Sequence, residues 1–247
     1  MSDTSLFSHL LELRKRLLRA VAAIVLVFVA LAPFAQELYT LLADPLLRNL
    51  PAGASMIATD VAAPFFTPFK LTLVLAFMLA VPLWLWQLWA FIAPGLYQRE
   101  KRLMAPLLVG STLLFYAGVA FAYFVVLPVV LGFFTAMAPE GVQVATDISR
   151  YLDFVLAIFV AFGIAFEVPI LIILLCWSGL TSVSALRQKR PYVIVAAFVI
   201  GMMLTPPDVI SQTLLAVPMC LLFELGLVVA SLYTRTDADS GSHEQQN

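Results

Sequence analysis

Long apolar runs separated by short polar segments set the pattern of this chain. A helix needs about 20 apolar residues to cross the hydrocarbon core of a bilayer, and most of the runs reach or approach that length. The fifth run, 192–204, covers only about 20 Å as a helix. The turn Thr205-Pro206-Pro207-Asp208 ends it, so we expect the fifth and sixth runs to form a tight hairpin. The six runs are 17–34, 71–94, 105–137, 151–178, 192–204 and 209–233.

The composition agrees with a membrane protein and excludes a soluble one. Hydrophobic residues make up 62% of the 247 residues, charged residues only 12%, and the mean hydropathy is +1.00. Soluble domains average about 45–50% apolar and about 25% charged residues. The net charge of −1 gives no sign of a nucleic-acid partner. We therefore predict an all-α integral membrane protein with six transmembrane helices.

The distribution of Lys and Arg predicts the orientation. Eleven of the 14 cationic residues lie in the N-terminal segment, the loops after the second and fourth runs, and the tail. The other three are Arg48, Lys70 and Arg150. Because cytoplasmic loops carry the excess of positive charge, both termini are predicted to be cytoplasmic. We expect one membrane domain, 1–233, and a polar, disordered cytoplasmic tail, 234–247.

Prolines recur inside the runs and predict bent helices. Pro82, Pro128, Pro169 and Pro218 each remove a backbone donor within a span. A bundle of bent helices can present a concave face. The outer loop 35–70 combines turn residues with apolar stretches, so we expect short helices within it.

Two carboxylates stand out in the predicted cytoplasmic basic segments. Glu12 precedes the first run and Glu100 lies between the second and third. Each could form a local ion pair, Glu12 with Lys15 or Arg16 and Glu100 with its basic neighbours. As a pair, they could instead bind a basic ligand. Carboxylates take guanidinium groups in a bidentate manner that lysine cannot reproduce, so such a site would prefer arginine.

Polar residues within the spans also need an explanation. Glu167, in the middle of the fourth run, should face the bundle interior or a hydrated cavity. It could satisfy the backbone freed by Pro169, or line a pocket used by a partner or passenger. Gln212 could bond another helix or lie solvated at the outer headgroups. Asp153 could favour a helix N-terminus, and Glu224 could reach the inner face or pair with a cation there.

The segment around Glu12 resembles the N-terminal signature of TatC, the multi-spanning subunit of the twin-arginine protein translocase. The resemblance continues through nearly the whole chain except the tail. The matching segments are His9-Leu10-Leu11-Glu12-Leu13-Arg14-Lys15-Arg16-Leu17, 56–62, 65–68, 89–97, 120–124, 161–169, 189–192 and Leu204-Thr205-Pro206-Pro207-Asp208.

The resemblance implies a cupped-hand bundle in the bacterial inner membrane that reads the paired arginines of signal peptides and moves folded proteins by the proton-motive force. Partners would be single-span subunits of the TatA and TatB type, other copies of the chain, and lipid. The family's signal-peptide residues match Glu12, Glu100 and Phe91, and its intramembrane acid matches Glu167. Partner-contact positions match Met202, Thr205 and Gln212, and functional outer-loop positions match Pro45 and Asp208.

Other functions are less well supported by the residues. A secondary transporter would use Glu167 as an ion or proton relay, but no internal repeat is visible. An intramembrane Ser–His protease is excluded because neither His9 nor His243 lies in a run. Cys176 and Cys220 lie in apolar runs, where cysteine usually serves as a small hydrophobic residue, so we expect no metal site there. We also expect no enzyme activity and no cofactor.

Overall fold

The computed structural model is nearly all helical and describes residues 3–49, 56–92, 104–137, 146–205 and 209–244. A 3₁₀ turn, Ala32–Phe34, joins the first two helices, and a π-helical turn, Ala122–Val126, joins the fifth and sixth. The helices are α1 Asp3–Leu31, α2 Ala35–Asn49, α3 Ala63–Leu79, α4 Val81–Ile92, α5 Met104–Phe121, α6 Leu127–Ala136, α7 Ile148–Trp177, α8 Val183–Gln188, α9 Arg190–Leu204 and α10 Val209–Glu244.

Within the described residues, four helical segments are long and apolar enough to cross a membrane, and the bent pair α3–α4 makes a fifth. The helix α9 corresponds to the fifth predicted run, but it is shorter than the segments that are long enough to cross a membrane. Six spans with cytoplasmic termini therefore stay a prediction. The four long segments are Leu11–Asp44, Ala105–Ala136, Ile148–Trp177 and Val209–Leu232.

The second predicted span begins earlier in the structure than expected and is bent. It begins at Ala63 rather than at 71, because Pro64 occupies the first helical turn, where a missing amide hydrogen is harmless. Inside α3, the Thr72 hydroxyl donates to the Pro68 carbonyl at 2.8 Å. The chain then bends by 50° between α3 and α4, close to Pro82. In the third predicted span, the wide π turn ends two residues before Pro128.

The chain separates into two compact units, and the first comprises residues 1–112 and 134–156. In it, α1 packs against α3 and α4, and α2 packs against α3. The predicted helix in the outer loop is α2. Leu71, Ala76 and Val81 are fully buried in this unit.

The second unit comprises residues 113–133 and 157–247, and its centre is the hairpin of α9 and α10. Gly179, at φ +68°, ends α7 in a conformation that side chains disfavour. A buried apolar cluster of Ile172, Phe223, Leu227 and Ala230 joins α7 to α10.

The end of α10 differs from the predicted tail. The helix continues to Glu244, although the composition beyond Tyr233 predicted disorder. No large apolar side chain follows Tyr233, so this last part of the helix has no apolar face with which to pack. The division into a membrane domain, 1–233, and a tail stays a prediction.

Candidate functional site

Glu12 lies on α1 beside a guanidinium group. The Arg16 Nη2 and Nε atoms donate to its Oε1 at 2.5 Å and 3.1 Å. The two residues are one helical turn apart, which is the spacing at which side chains on a helix surface meet. The Glu12 side chain remains 42% exposed. The local ion pair expected from the sequence is therefore present, and the carboxylate is open to solvent or a ligand.

The other predicted signal-peptide residues are only partly described. Phe91 lies in α4, but its side chain is outside the described part of the chain. Glu100 lies outside the described residues. The convergence of Glu12, Phe91 and Glu100 on one site therefore stays a prediction.

Glu167 lies in the middle of α7, two residues before Pro169. Its side chain is half-buried, and its Oε1 atom is enclosed by protein. A carboxyl at this depth costs about 2.5–3.5 kcal/mol on insertion scales, so an interior position is the expected one. α10 approaches closely here, since a Cβ on Gly226 would lie 2.8 Å from the Pro169 Cα.

The three predicted partner-contact residues have different surroundings. Met202 is 51% exposed on α9, whereas Thr205 is only 5% exposed. The Thr205 hydroxyl donates to the Gly201 carbonyl at 3.0 Å and so closes the end of α9. The half-buried Gln212 packs its backbone about 3.4 Å from the Cβ position of Gly201. Thus Met202 can meet a partner directly, while the buried Thr205 caps the end of its own helix, α9.

An open apolar groove of about 480 Å³ lies within the second unit, and its lining includes Ile210 and Thr213 but not Gln212. The hydroxyl of Thr213, its one polar lining side chain, donates to the Val209 carbonyl at 2.6 Å. The groove therefore offers an almost purely apolar surface. Its lining residues are Phe121, Val125, Val126, Val129, Val130, Val209, Ile210, Thr213, Leu214, Val217 and Pro218.

The two predicted outer-loop residues are less fully described. Pro45 lies within α2, but the structure does not describe its side chain. Asp208 lies outside the described residues. Their functional roles stay predictions.

The sequence reasoning missed a polar junction centred on Asp147. Its Oδ2 accepts from the amide of Thr59 at 2.9 Å and the hydroxyl of Thr59 at 2.7 Å. Its Oδ1 accepts from the amides of Ser149 and Arg150, so Asp147 caps α7. An Asp directly before a long apolar run is an N-cap signal. This signal was available in the sequence, where Asp153 was considered instead.

Two further contacts involve the start of α7 in the first unit. A parallel bridge pairs Ile57 with Asp147, with the Ile148 amide donating to the Ile57 carbonyl at 2.9 Å. Asp153 forms an ion pair with Lys70 at 2.5 Å rather than serving the helix N-terminus. The first contact ties the segment before α3 to the start of α7, and the second ties α3 itself to α7.

Asp147→Asn is expected to destabilise this junction in a pH-dependent way. The Thr59 hydroxyl and then the Arg150 amide hold the pKa of Asp147 at about 2, below its usual 3.8. A depressed pKa in the folded state stabilises the protein above about pH 4, and that stabilisation is lost as the pH falls towards 2. Thermal unfolding of the wild type and the variant should therefore differ at pH 7 and converge near pH 2.

Asp60→Asn is the matched control, because the exposed Asp60 carboxylate accepts only the Ala62 amide at 3.2 Å among the contacts that the structure gives for it. It should change the unfolding temperature little at either pH. An Asp147→Asn difference that stays constant from pH 7 to pH 2 would contradict the assignment.

Comparison with known proteins bears on the whole chain. A family model, "TatC: Sec-independent protein translocase protein (TatC)", matches residues 8–218. A Haemophilus influenzae protein described as "Sec-independent protein translocase protein TatC" is 64% identical over 95% of this chain and 92% of its own length. An Escherichia coli K12 protein with the same description is 59% identical over 94% of this chain and 91% of its own length.

A solved structure gives the same result for the fold. The chain aligns with a protein described as "Crystal Structure of Twin Arginine Translocase Receptor- TatC" at a TM-score of 0.81 and 39% identity. The alignment covers 92% of this chain and 99% of that chain.

Proposed function

The chain belongs to the TatC family of Sec-independent protein translocase proteins, and on that premise we propose that it recognises twin-arginine signal peptides at the inner face of the membrane. The family is a component of the Tat translocase and acts in transport rather than as an enzyme. In the proposed mechanism, folded passengers then cross by the proton-motive force with single-span partner subunits. The recognition chemistry is assigned to Glu12 and Glu100, with Phe91 beside the second.

The pairing of Glu12 with a guanidinium group is the observation that carries this proposal. Arg16 reaches Glu12 through two nitrogen atoms that converge on one carboxylate oxygen. An incoming arginine would make the same kind of charge-assisted hydrogen bond. The observed geometry therefore supports Glu12 as a group that can accept a signal-peptide arginine.

Displacing Arg16 would cost little. An ion pair at this helical spacing contributes only about 0.3–0.5 kcal/mol, and this pair is partly open to solvent, with the Arg16 and Glu12 side chains 20% and 42% exposed. The Arg16 pair therefore holds the carboxylate in place without blocking exchange for a better-placed guanidinium. A site formed with Glu100 would add a second charge that Arg16 alone cannot match.

Partner subunits are proposed to pack near the hairpin of α9 and α10. The exposed Met202 side chain on α9 and the apolar groove along α10 support this location, since a single-span helix presents mainly apolar side chains. Packing in membranes depends on close fit and on a few interhelical hydrogen bonds. Gln212 lies on the same hairpin, although it does not line the groove, and its amide can provide one such bond.

A complementation experiment tests the proposed function. The chain, expressed in Escherichia coli lacking its own TatC relative, is expected to restore export of a folded fluorescent reporter with a twin-arginine signal. Lysine in place of both signal arginines should abolish export, and a protonophore should stop it. Restored export that is indifferent to the arginine pair would contradict the receptor role.

Gln212→Leu is expected to weaken assembly with the single-span subunits and to leave peptide binding largely intact. The change keeps the side chain's size but removes an interhelical bond of about 1 kcal/mol, so a loss of roughly fivefold in affinity is expected. Native gels of the purified complex measure assembly. Thr213→Val is the control, because the Thr213 hydroxyl bonds to its own helix. Complexes of normal composition with Gln212→Leu would contradict the contact.

The small-solute transporter considered from the sequence loses its support. The family is a protein translocase component, and its family model matches residues 8–218 of this chain. Glu167 is accordingly proposed as a polar feature of the translocation path rather than as a relay for a small ion.

A further inference from the structure

A second groove, of about 350 Å³, lies between α9 and α10 at the end of the hairpin that carries the basic loop. Apolar side chains form most of its wall, and one ion pair, Arg190 with Glu224 at 2.5 Å, lies at its mouth. The groove is therefore amphipathic, with charge at one end and apolar surface along its length. Its other main lining residues are Val193, Ile194, Phe198, Val217 and Leu221.

Three cations lie close together along the chain at this end of the groove, and one of them, Arg190, lines it. Arg187 lies in the last turn of α8, and Lys189 and Arg190 follow it at the start of α9. Glu224 offsets one of these three cations, and residues 179–194 contain no acid. The guanidinium of Arg190 has five donors, so one carboxylate oxygen does not exhaust it.

The side chains at the start of α9 are of the kind found at the boundary between water and lipid. Tyr192 is 69% exposed, and the Lys189 Nζ atom lies 5.4 Å from the centre of its ring. Tyrosine and basic side chains are enriched where a helix leaves the hydrocarbon core. From Arg190 to Phe198 the groove follows about 12 Å of helix, which runs from this boundary into the apolar part of the membrane.

We propose that this groove binds an anionic phospholipid, with its phosphate at Arg187, Lys189 and Arg190 and one acyl chain against Val193, Ile194 and Leu221. The three neighbouring cations would favour an anionic headgroup, and the apolar wall of the groove would hold an acyl chain attached to that headgroup. Basic pockets between helices on the cytoplasmic side are a recurring form of lipid recognition. The site uses the cytoplasmic orientation predicted for this loop, but it does not depend on signal-peptide recognition.

Native mass spectrometry of the purified full chain tests the site by titration with phosphatidylglycerol and phosphatidylethanolamine. The wild type should bind phosphatidylglycerol more tightly. Arg187→Gln combined with Lys189→Gln should weaken that binding roughly thirtyfold, because each cation contributes about 1 kcal/mol and 1.4 kcal/mol is a factor of ten. Equal affinity for the two lipids, or unchanged affinity in the double variant, would overturn the proposal.

Arg14→Gln combined with Lys15→Gln removes the same charge from an exposed part of α1 and should leave phosphatidylglycerol affinity within about twofold. An equal loss in this control would show general surface attraction and overturn the site.

Leu221→Trp should also weaken binding, because Leu221 lines the groove and is largely exposed. Leu225→Trp is its matched control, exposed one turn further along α10 and outside the groove lining. Crosslinking from Cys220 in the groove distinguishes other occupants. A crosslink to a single-span subunit or to a second copy of the chain, without retained lipid, would overturn the lipid assignment.

Discussion

Glu12→Gln is expected to lower the affinity for twin-arginine signal peptides about tenfold, and Glu100→Gln should do the same. Glutamine keeps the length of the side chain but loses the charge, and it turns an amide NH₂ towards the guanidinium donors. A hydrogen bond to a charged group contributes about 1.5–3 kcal/mol, which corresponds to roughly 10–100-fold. Because the Glu12 side chain is 42% exposed, screening by water favours the lower end.

Peptide specificity should change together with affinity. The wild type should prefer paired arginines over paired lysines, because only the guanidinium group fits a carboxylate through two donors. Each variant should reduce that preference. Fluorescence titration of the purified protein with both peptides measures the two effects.

Glu37→Gln is the matched control for this experiment. Glu37 lies exposed near the start of α2, in the predicted outer loop, and the substitution removes the same charge. It should leave both peptide affinities unchanged. Equal binding of the arginine peptide by the wild type, Glu12→Gln and Glu100→Gln would remove these two acids from the recognition site.

Gly118→Ala is expected to destabilise the second unit by about 1–3 kcal/mol. A Cβ at Gly118 would lie 2.5 Å from the carbonyl oxygen of Phe162 and 2.9 Å from the Phe166 ring. The nearer atom belongs to the α7 backbone, so rotation of a side chain cannot relieve the clash. Overpacking of this kind usually costs about 1–3 kcal/mol, which lowers the unfolding temperature by roughly 2–12 °C.

Gly132→Ala provides the control for Gly118→Ala. Gly132 lies on α6 in the same predicted span, and a Cβ there would meet no atom within 4 Å. The substitution should be neutral or slightly stabilising, since alanine favours the helix by about 0.5–1 kcal/mol relative to glycine. Thermal unfolding in detergent compares the pair. Equal unfolding temperatures for the two variants would contradict the close approach of α5 and α7 at Gly118.

The third and fourth predicted helices correspond well to the observed ones because each depends on a local apolar run. The third run, 105–137, became Ala105–Ala136, and the fourth, 151–178, became Ile148–Trp177. The start of α3 was placed too late because Pro64, Pro68 and Lys70 resemble a loop when read singly. In the folded chain, Pro64 serves the first turn and Lys70 pairs with Asp153.

The candidate site was less predictable than the helices. A local pair for Glu12 was foreseen, and Arg16 proved to be the partner, because residues four apart meet on any helix. Pairing of Glu224 with a cation was also foreseen, and the cation is Arg190 on the antiparallel neighbour. Burial of Thr205 was not foreseen, since it depends on how closely Gly201 lets α10 approach α9.

The sequence by itself determined that the chain is a helical membrane protein of the TatC family. A bilayer requires long apolar helices whose backbone groups are hydrogen-bonded within the same helix. Most apolar runs of the sequence meet that requirement through their own residues, so the pattern can be recognised locally. Only the tertiary structure decided which distant polar groups meet, such as Thr59 with Asp147, 88 residues apart, and Lys70 with Asp153, 83 residues apart. Such contacts depend on the rotation and packing of whole helices, which no local pattern of residues specifies.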